Sequence, residues 1–190
     1  SVAGDAVLDL VRGIAAPLIV TLHTVLEAPD PDQRRVMDVL VARASTLVVM
    51  TRRASETLEL VYNADPARIS IIEHGVPDRP FGRSAKFKRK LGFLGLVMLT
   101  FGLLSPGKGI ERAIEALPAI IARHPELSYC IAGATHPNLV AREGEAYRET
   151  LVALAQSLGV SGHIRWIDAF LDTPELLDLI EAADIYVTPY

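Results

Sequence analysis

The chain has 190 residues, of which 50% are hydrophobic and 22% charged, with a mean hydropathy of +0.29. This excludes a disordered or fibrous chain, and the length suffices for one or two domains with a real core. A formal net charge of −4 gives no global reason to expect a nucleic-acid partner, and the single cysteine, Cys130, supports neither an intramolecular disulfide nor a multi-cysteine metal site.

The opening Ser1-Val2-Ala3-Gly4-Asp5 lacks the basic flank of a signal peptide, and the cytoplasm is the expected compartment. The longest apolar stretch, residues 91–104, is interrupted by Gly92, Gly95, Thr100 and Gly102 and falls short of the roughly 18 residues of a membrane span. In chain order, short apolar and β-branched runs read as strands at 17–22, 46–50, 68–73, 96–101, 127–132, 163–166 and 185–188. Several are apolar at nearly every position, which suits strands covered on both faces of a parallel sheet.

Between the later strands the period changes. Ile110, Ile114, Leu117 and Ile121 make one helical stripe, with Pro118 predicting a kink or early end. Tyr147, Leu151, Leu154 and Leu158 make another, in a helix expected to start at Asn138 and stop at Gly159. A shorter helix with Leu176, Leu177 and Ile180 begins near Pro174. Strands alternating with helices indicate an α/β fold with doubly wound parallel sheets.

Charge divides the chain. Residues 77–95 carry Arg79, Arg83, Lys86, Lys88, Arg89 and Lys90 against Asp78, while both flanks are net acidic. With Pro77, Pro80, Gly82, Gly92 and Gly95, this stretch reads as a basic linker holding a short helix over 83–91. The expected organisation is therefore a first domain over 1–76, a linker over 77–95 and a second domain over 96–190. The linker's bland use is a solvated interdomain strap; the runner-up is peripheral contact with an anionic membrane.

The segment from Leu96 to Ile110 carries the most chemical information. Strand residues lead into Gly102-Leu-Leu-Ser105-Pro106-Gly107-Lys108-Gly109 and then into a helix. Glycines admit an anion close to the backbone, first-turn N–H groups are unpaired, and the helix dipole favours negative charge. Lys108 adds a full positive charge. The segment matches neither the G-x-x-x-x-G-K-[ST] loop nor the G-x-G-x-x-G fingerprint, and a tight strand-to-helix turn with a solvated lysine is the equal alternative. His23 ends the 17–22 strand, where side chains of open α/β sheets reach their ligand crevice.

Phe101-Gly102-Leu-Leu-Ser-Pro-Gly107-Lys108-Gly109-Ile110-Glu111-Arg112 resembles the first strand, loop and helix of the second domain in family 4 glycosyltransferases of the GT-B fold. Glu73-His74-Gly75-Val76-Pro77 resembles the turn leaving that family's first domain, Tyr129-Cys-Ile131-Ala132-Gly133 its next strand, and Ala183-Asp184-Ile185-Tyr186-Val187-Thr188-Pro189 the segment before its catalytic helix. The resemblance implies transfer of a sugar, with retention, from a nucleotide-sugar such as a UDP- or GDP-sugar to a glycan or small-molecule acceptor, with no metal or other cofactor. It implies donor binding by Gly102, Gly107, Lys108, Gly109, Gly133, Thr135 and His136, and contact of the catalytic His23 with the donor sugar; a polar cap before the Asn138 helix is the equal alternative for Thr135 and His136, and a strand-end cap or a bond to a loop carbonyl is the alternative for His23. His74 is assigned only to the turn.

Some family features depart. Leu103 and Leu104 stand where an arginine is usual, and Gly133-Ala-Thr135-His136-Pro replaces a Gly-x-Gly-Pro loop. No two glutamates have the family's Glu-x7-Glu spacing, whose place would lie beyond Tyr190, and no Gly-rich entry loop opens the first domain. The chain is thus expected to be a central piece of a larger glycosyltransferase. The alternative is a catalytically incomplete nucleotide-binding or assembly module, forming homo-oligomers through open sheet edges.

Overall fold

A computed structural model of the chain describes residues 4–189. Ser1 to Ala3 and Tyr190 lie outside the described residues, and so do the expectations about the chain's opening residues and about a paired-glutamate motif beyond Tyr190. The chain forms two units that divide between Asp78 and Arg79.

The first unit holds α1 (Asp5–Gly13), β1 (Ile19–Leu22), α2 (Pro31–Arg43), β2 (Thr46–Val49), α3 (Arg52–Tyr62) and β3 (Ile69–Ile71). The strands are parallel in the order β1-β2-β3. Local chemistry starts and stops the helices. Asp30 and Gln33 form a capping box at α2, Thr51 accepts from Ala54 N–H at α3, and Asn63 closes α3 in a left-handed conformation. Leu47 and Val49 of β2 pack with Val41, Leu58 and Tyr62 into one apolar cluster. The Arg68 guanidinium donates to the carbonyls of Val41 and Ala44 at 2.8 Å each, tying the start of β3 to the end of α2.

The second unit holds α4 (Ser84–Leu91), β4 (Val97–Phe101), α5 (Ile110–Ile121), β5 (Ser128–Ala132), α6 (Pro137–Glu143), α7 (Ala146–Ser157), β6 (Ile164–Ile167), α8 (Thr173–Ala182) and β7 (Ile185–Tyr186). Its sheet is parallel in the order β6-β5-β4-β7. Alternation along the central strands covers both faces. Met98, Tyr129 and Ile131 pack with Ile114, Leu117 and Leu151 of α5 and α7, whereas Val97, Leu99 and Cys130 pack with Phe87 of α4 and Leu179 of α8. Burial pushes the Cys130 thiol up to about 12.

The seven strand positions agree with the sequence to within two residues at each end. Three local expectations are corrected. The stretch from Arg79 to Gly95 is no separate linker: it belongs to the second unit. Phe87 and Phe93 bury their rings in that unit's core, and four of the basic residues pair with carboxylates of α8 and of Asp184 just after it. Arg79 bridges Asp178 at 2.9 Å and also Glu181, Lys88 meets Asp184 at 2.5 Å, and Lys90 meets Asp178. Of the kink or early end expected at Pro118, the early end is excluded, since α5 runs on to Ile121. The helix expected from Asn138 to Gly159 is two helices, parted at Gly144, whose φ of 64° and ψ of −141° no helix accommodates. The N-cap of the first of them is His136, ahead of the expected start.

Candidate functional site

The direction of winding picks out one place in the second sheet. From β4 the chain moves outward through β5 to β6, then returns to the other side of β4 as β7. The crevice beyond the carboxyl ends of β4 and β7 is therefore a topological switch point, where open α/β sheets bind ligands. Thr100 near the end of β4 donates to the Val187 carbonyl at 2.8 Å, and the Phe101 and Tyr186 rings stack with centroids 4.9 Å apart.

The loop leaving β4 carries most of the sequence-proposed site. Gly102 has φ 119°, open to glycine and strained for other residues. Pro106–Lys108 form a short 3-10 turn with Lys108 half-buried. Gly109, at φ 58°, is the N-cap of α5 and offers no capping side chain. The 12-residue α5 thus opens without a side-chain cap at its positive dipole end, directly after Lys108, and Arg112 N–H turns back to the Gly109 carbonyl at 3.0 Å. Gly107 behaves differently from its neighbours. A Cβ there would come no nearer than 4.0 Å to the Ser105 hydroxyl, so space rather than backbone conformation is what it supplies.

The loop leaving β5 runs beside it. Gly102 N–H donates to the Ala132 carbonyl at 3.0 Å, Leu104 N–H to Ala134 at 2.9 Å, and His136 N–H to Leu104 at 2.9 Å. Gly133 sits at φ 144°, and a Cβ on it would fall 2.0 Å from the Gly102 carbonyl oxygen. Only glycine lets these two loops touch. Together with Ala169, Phe170, Leu171 and Leu176 they enclose an apolar cavity of about 290 Å³.

Two proposed donor contacts have other partners. The buried Thr135 hydroxyl donates to the Glu145 carboxylate, and His136 Nδ1 accepts from Asn138 N–H at 3.2 Å as the cap of α6. Sequence reasoning missed Arg148. Its guanidinium is buried and meets the Gly133 carbonyl at 2.7 Å and Asp168 at 2.6 Å. The only sequence hint was that Arg148 adjoins the apolar stripe of Tyr147 and Leu151.

In the first unit His23 follows β1 and is exposed, as expected from its position. What the sequence did not reveal is that its ring stacks on His74, which follows β3, with centroids 5.7 Å apart and planes 21° from parallel. Among the described residues, no three His, Cys, Asp or Glu side chains gather to hold a metal ion, and no helix is long and apolar enough to cross a membrane.

Comparison with known proteins bears on this geometry. The family described as Glycosyl transferases group 1 matches residues 85–190. A D-inositol 3-phosphate glycosyltransferase of Corynebacterium glutamicum is 32% identical over 197 residues, covering 91% of this chain and 44% of the relative; that of Acidothermus cellulolyticus is 29% identical, with 91% and 42% covered. The chain thus spans less than half the length of these relatives. Among solved structures, HepE of Anabaena in complex with UDP superposes with a TM-score of 0.70 at 20% identity, covering 98% of this chain and 50% of that one. A glycosyltransferase from Rickettsia africae gives 0.64 at 18% identity, with 93% and 46% covered. These structural likenesses concern the fold, which is that of GT-B glycosyltransferases.

Proposed function

The chain belongs to the glycosyl transferases group 1 family, and from that premise we propose that its second unit binds the nucleoside diphosphate part of a nucleotide-sugar. The whole protein then transfers the sugar to an acceptor hydroxyl. The bond from the anomeric carbon to the diphosphate breaks as the bond to the acceptor oxygen forms, and the acceptor hydroxyl's proton leaves with the diphosphate. Negative charge grows on the leaving diphosphate, and positive groups aimed at it lower the barrier.

The observation that carries this reading is the uncapped start of α5 beside Lys108, at the switch point of the sheet. Backbone amides and a dipole end favour an anion there, and Lys108 adds unit charge. The apolar cavity formed by the β4, β5 and β6 loops suits a nucleobase, with Gly102 and Gly133 in its wall. In this reading Lys108 and the amides of α5 carry the diphosphate without a metal ion. The sugar is retained in anomeric configuration and the donor is a UDP- or GDP-sugar. The relatives' names make D-inositol 3-phosphate the first acceptor to try. His23 is proposed to contact the donor sugar. Thr135 and His136 act in this reading through the loop they shape, since the hydroxyl of one and Nδ1 of the other are engaged within the protein.

Calorimetric titration with UDP and GDP, with and without EDTA, tests the proposal. Lys108→Ala is expected to weaken the preferred nucleotide at least tenfold, the ~1.4 kcal/mol of one charge-assisted contact. EDTA is expected to change nothing. Equal affinities of wild type and variant would remove Lys108 from the site, and loss of binding in EDTA would overturn the metal-free reading.

A further inference from the structure

The cavity beside β5 owes its shape to one buried cation. Arg148 stands in the first turn of α7 with only 9% of its surface exposed, an unusual position for a guanidinium. Its Nη2 donates to the Gly133 carbonyl at 2.7 Å and makes an ion pair with Asp168 Oδ1 at 2.6 Å. Its Nε lies 3.4 Å from Glu145, whose carboxylate also accepts from the Thr135 hydroxyl. Arg148 Nη1 is buried with no hydrogen-bond partner among the described residues, so this arrangement carries a desolvation cost of its own.

Gly133 and Thr135 belong to the loop after β5, and Asp168 to the loop after β6. Those loops supply Gly133 and Ala134 on one side of the cavity and Ala169, Phe170 and Leu171 on the other. Arg148 itself is not in the cavity wall. It binds both walls from behind. It also pairs with Glu145 at the start of α7 and with Asp168 of the β6 loop, whose side chains are 42% and 56% exposed.

We infer that Arg148 is a positioning residue for nucleobase recognition, its guanidinium setting the width of the cavity between the β5 and β6 loops through Gly133 and Asp168. This rests on the proposed nucleotide site and adds the residue that makes it selective. Lys108 and the start of α5 belong to the β4 loop, whereas Gly133 and Asp168 belong to the β5 and β6 loops, so charge binding and base discrimination separate.

The experiment measures affinities of the full chain for UDP and GDP, with folding checked by circular dichroism. Wild type is expected to prefer one nucleotide at least tenfold. Arg148→Met and Asp168→Asn should compress that ratio to below threefold, and Arg148→Lys should recover part of it. A purely structural role would weaken both nucleotides alike and leave the ratio standing. A ratio unchanged in folded variants, or a wild type that does not discriminate, overturns the inference. If Arg148→Met does not fold, Asp168→Asn decides alone, since its carboxylate is 56% exposed and the fold does not depend on burying it. A wild type that binds neither nucleotide overturns the parent reading instead.

Discussion

The two sheets end differently at their carboxyl edges. The first presents His23 and His74, exposed and stacked on each other, with the Tyr62 hydroxyl donating to the Leu26 carbonyl at 2.8 Å and Ile72 N–H to the Val49 carbonyl at 2.8 Å. The second binds its edge into the fold: backbone bonds join the β4 and β5 loops, and a buried arginine joins the β5 and β6 loops. The packing follows the same contrast. Among the described residues, one apolar cluster supports the first sheet, whereas the second is sandwiched between two. A site that must discriminate between similar ligands needs walls held in place, and in the second edge a buried guanidinium ties two of the loops together.

Substitutions can break that contrast. Leu99, at 0% exposure in the central strand of the second sheet, should cost about 2–5 kcal/mol on Leu99→Ala, whereas Ile19→Ala at the 67% exposed edge of the first should stay within about 0.5 kcal/mol. Urea unfolding of each variant checks both; similar losses would erase the distinction. Gly133→Ala comes next. Its Cβ collides with the Gly102 carbonyl and its backbone conformation disfavours side chains, so a loss of about 1–3 kcal/mol is expected together with loss of nucleotide binding. Gly107→Ala, with open space around it, should leave stability within about 0.5 kcal/mol.

A smaller effect concerns acid. Lys90 and then Arg79 hold the Asp178 carboxyl below its ordinary value of 3.8. A carboxylate depressed in the folded state contributes fully above its unfolded value and loses that contribution as pH falls through the folded one. The thermal midpoint should therefore fall as the pH is lowered past 3.8, and less steeply in Asp178→Asn. Identical slopes would show that the α4–α8 ion pairs do not stabilise the unit.

Legibility in the sequence followed the physics of each signal. The central strands β4 and β5 were readable because buried parallel strands are nearly continuous apolar runs, and the exposed β1, β3 and β7 because β-branched residues remain in them. The β4 loop was readable because glycines and Lys108 occur together before a helical stripe. The Arg79 to Gly95 stretch misled because its charge and its Pro and Gly content match a solvated strap. The opposing signals were Phe87 and Leu91 at helical spacing, and Asp178, Glu181 and Asp184 three apart in a later segment with the opposite charge. The helices at Asp5–Gly13 and Arg52–Tyr62 were not anticipated, although Leu58 and Tyr62 stand one turn apart. Arg148 was invisible because its partners, Gly133 and Asp168, are 15 and 20 residues away and meet it only once the sheet forms. The His23–His74 stack depends likewise on β1 and β3 flanking β2.

The central claim is that a nucleoside diphosphate sits on the β4 and β5 loops. Amide hydrogen exchange of the full chain, measured with and without saturating UDP or GDP, reads this most directly. The account predicts added protection over residues 102–110 and 133–136 with the preferred nucleotide, and its loss in Lys108→Ala over the first of these. Exchange unchanged there with both nucleotides, or protection confined to other segments, would contradict it.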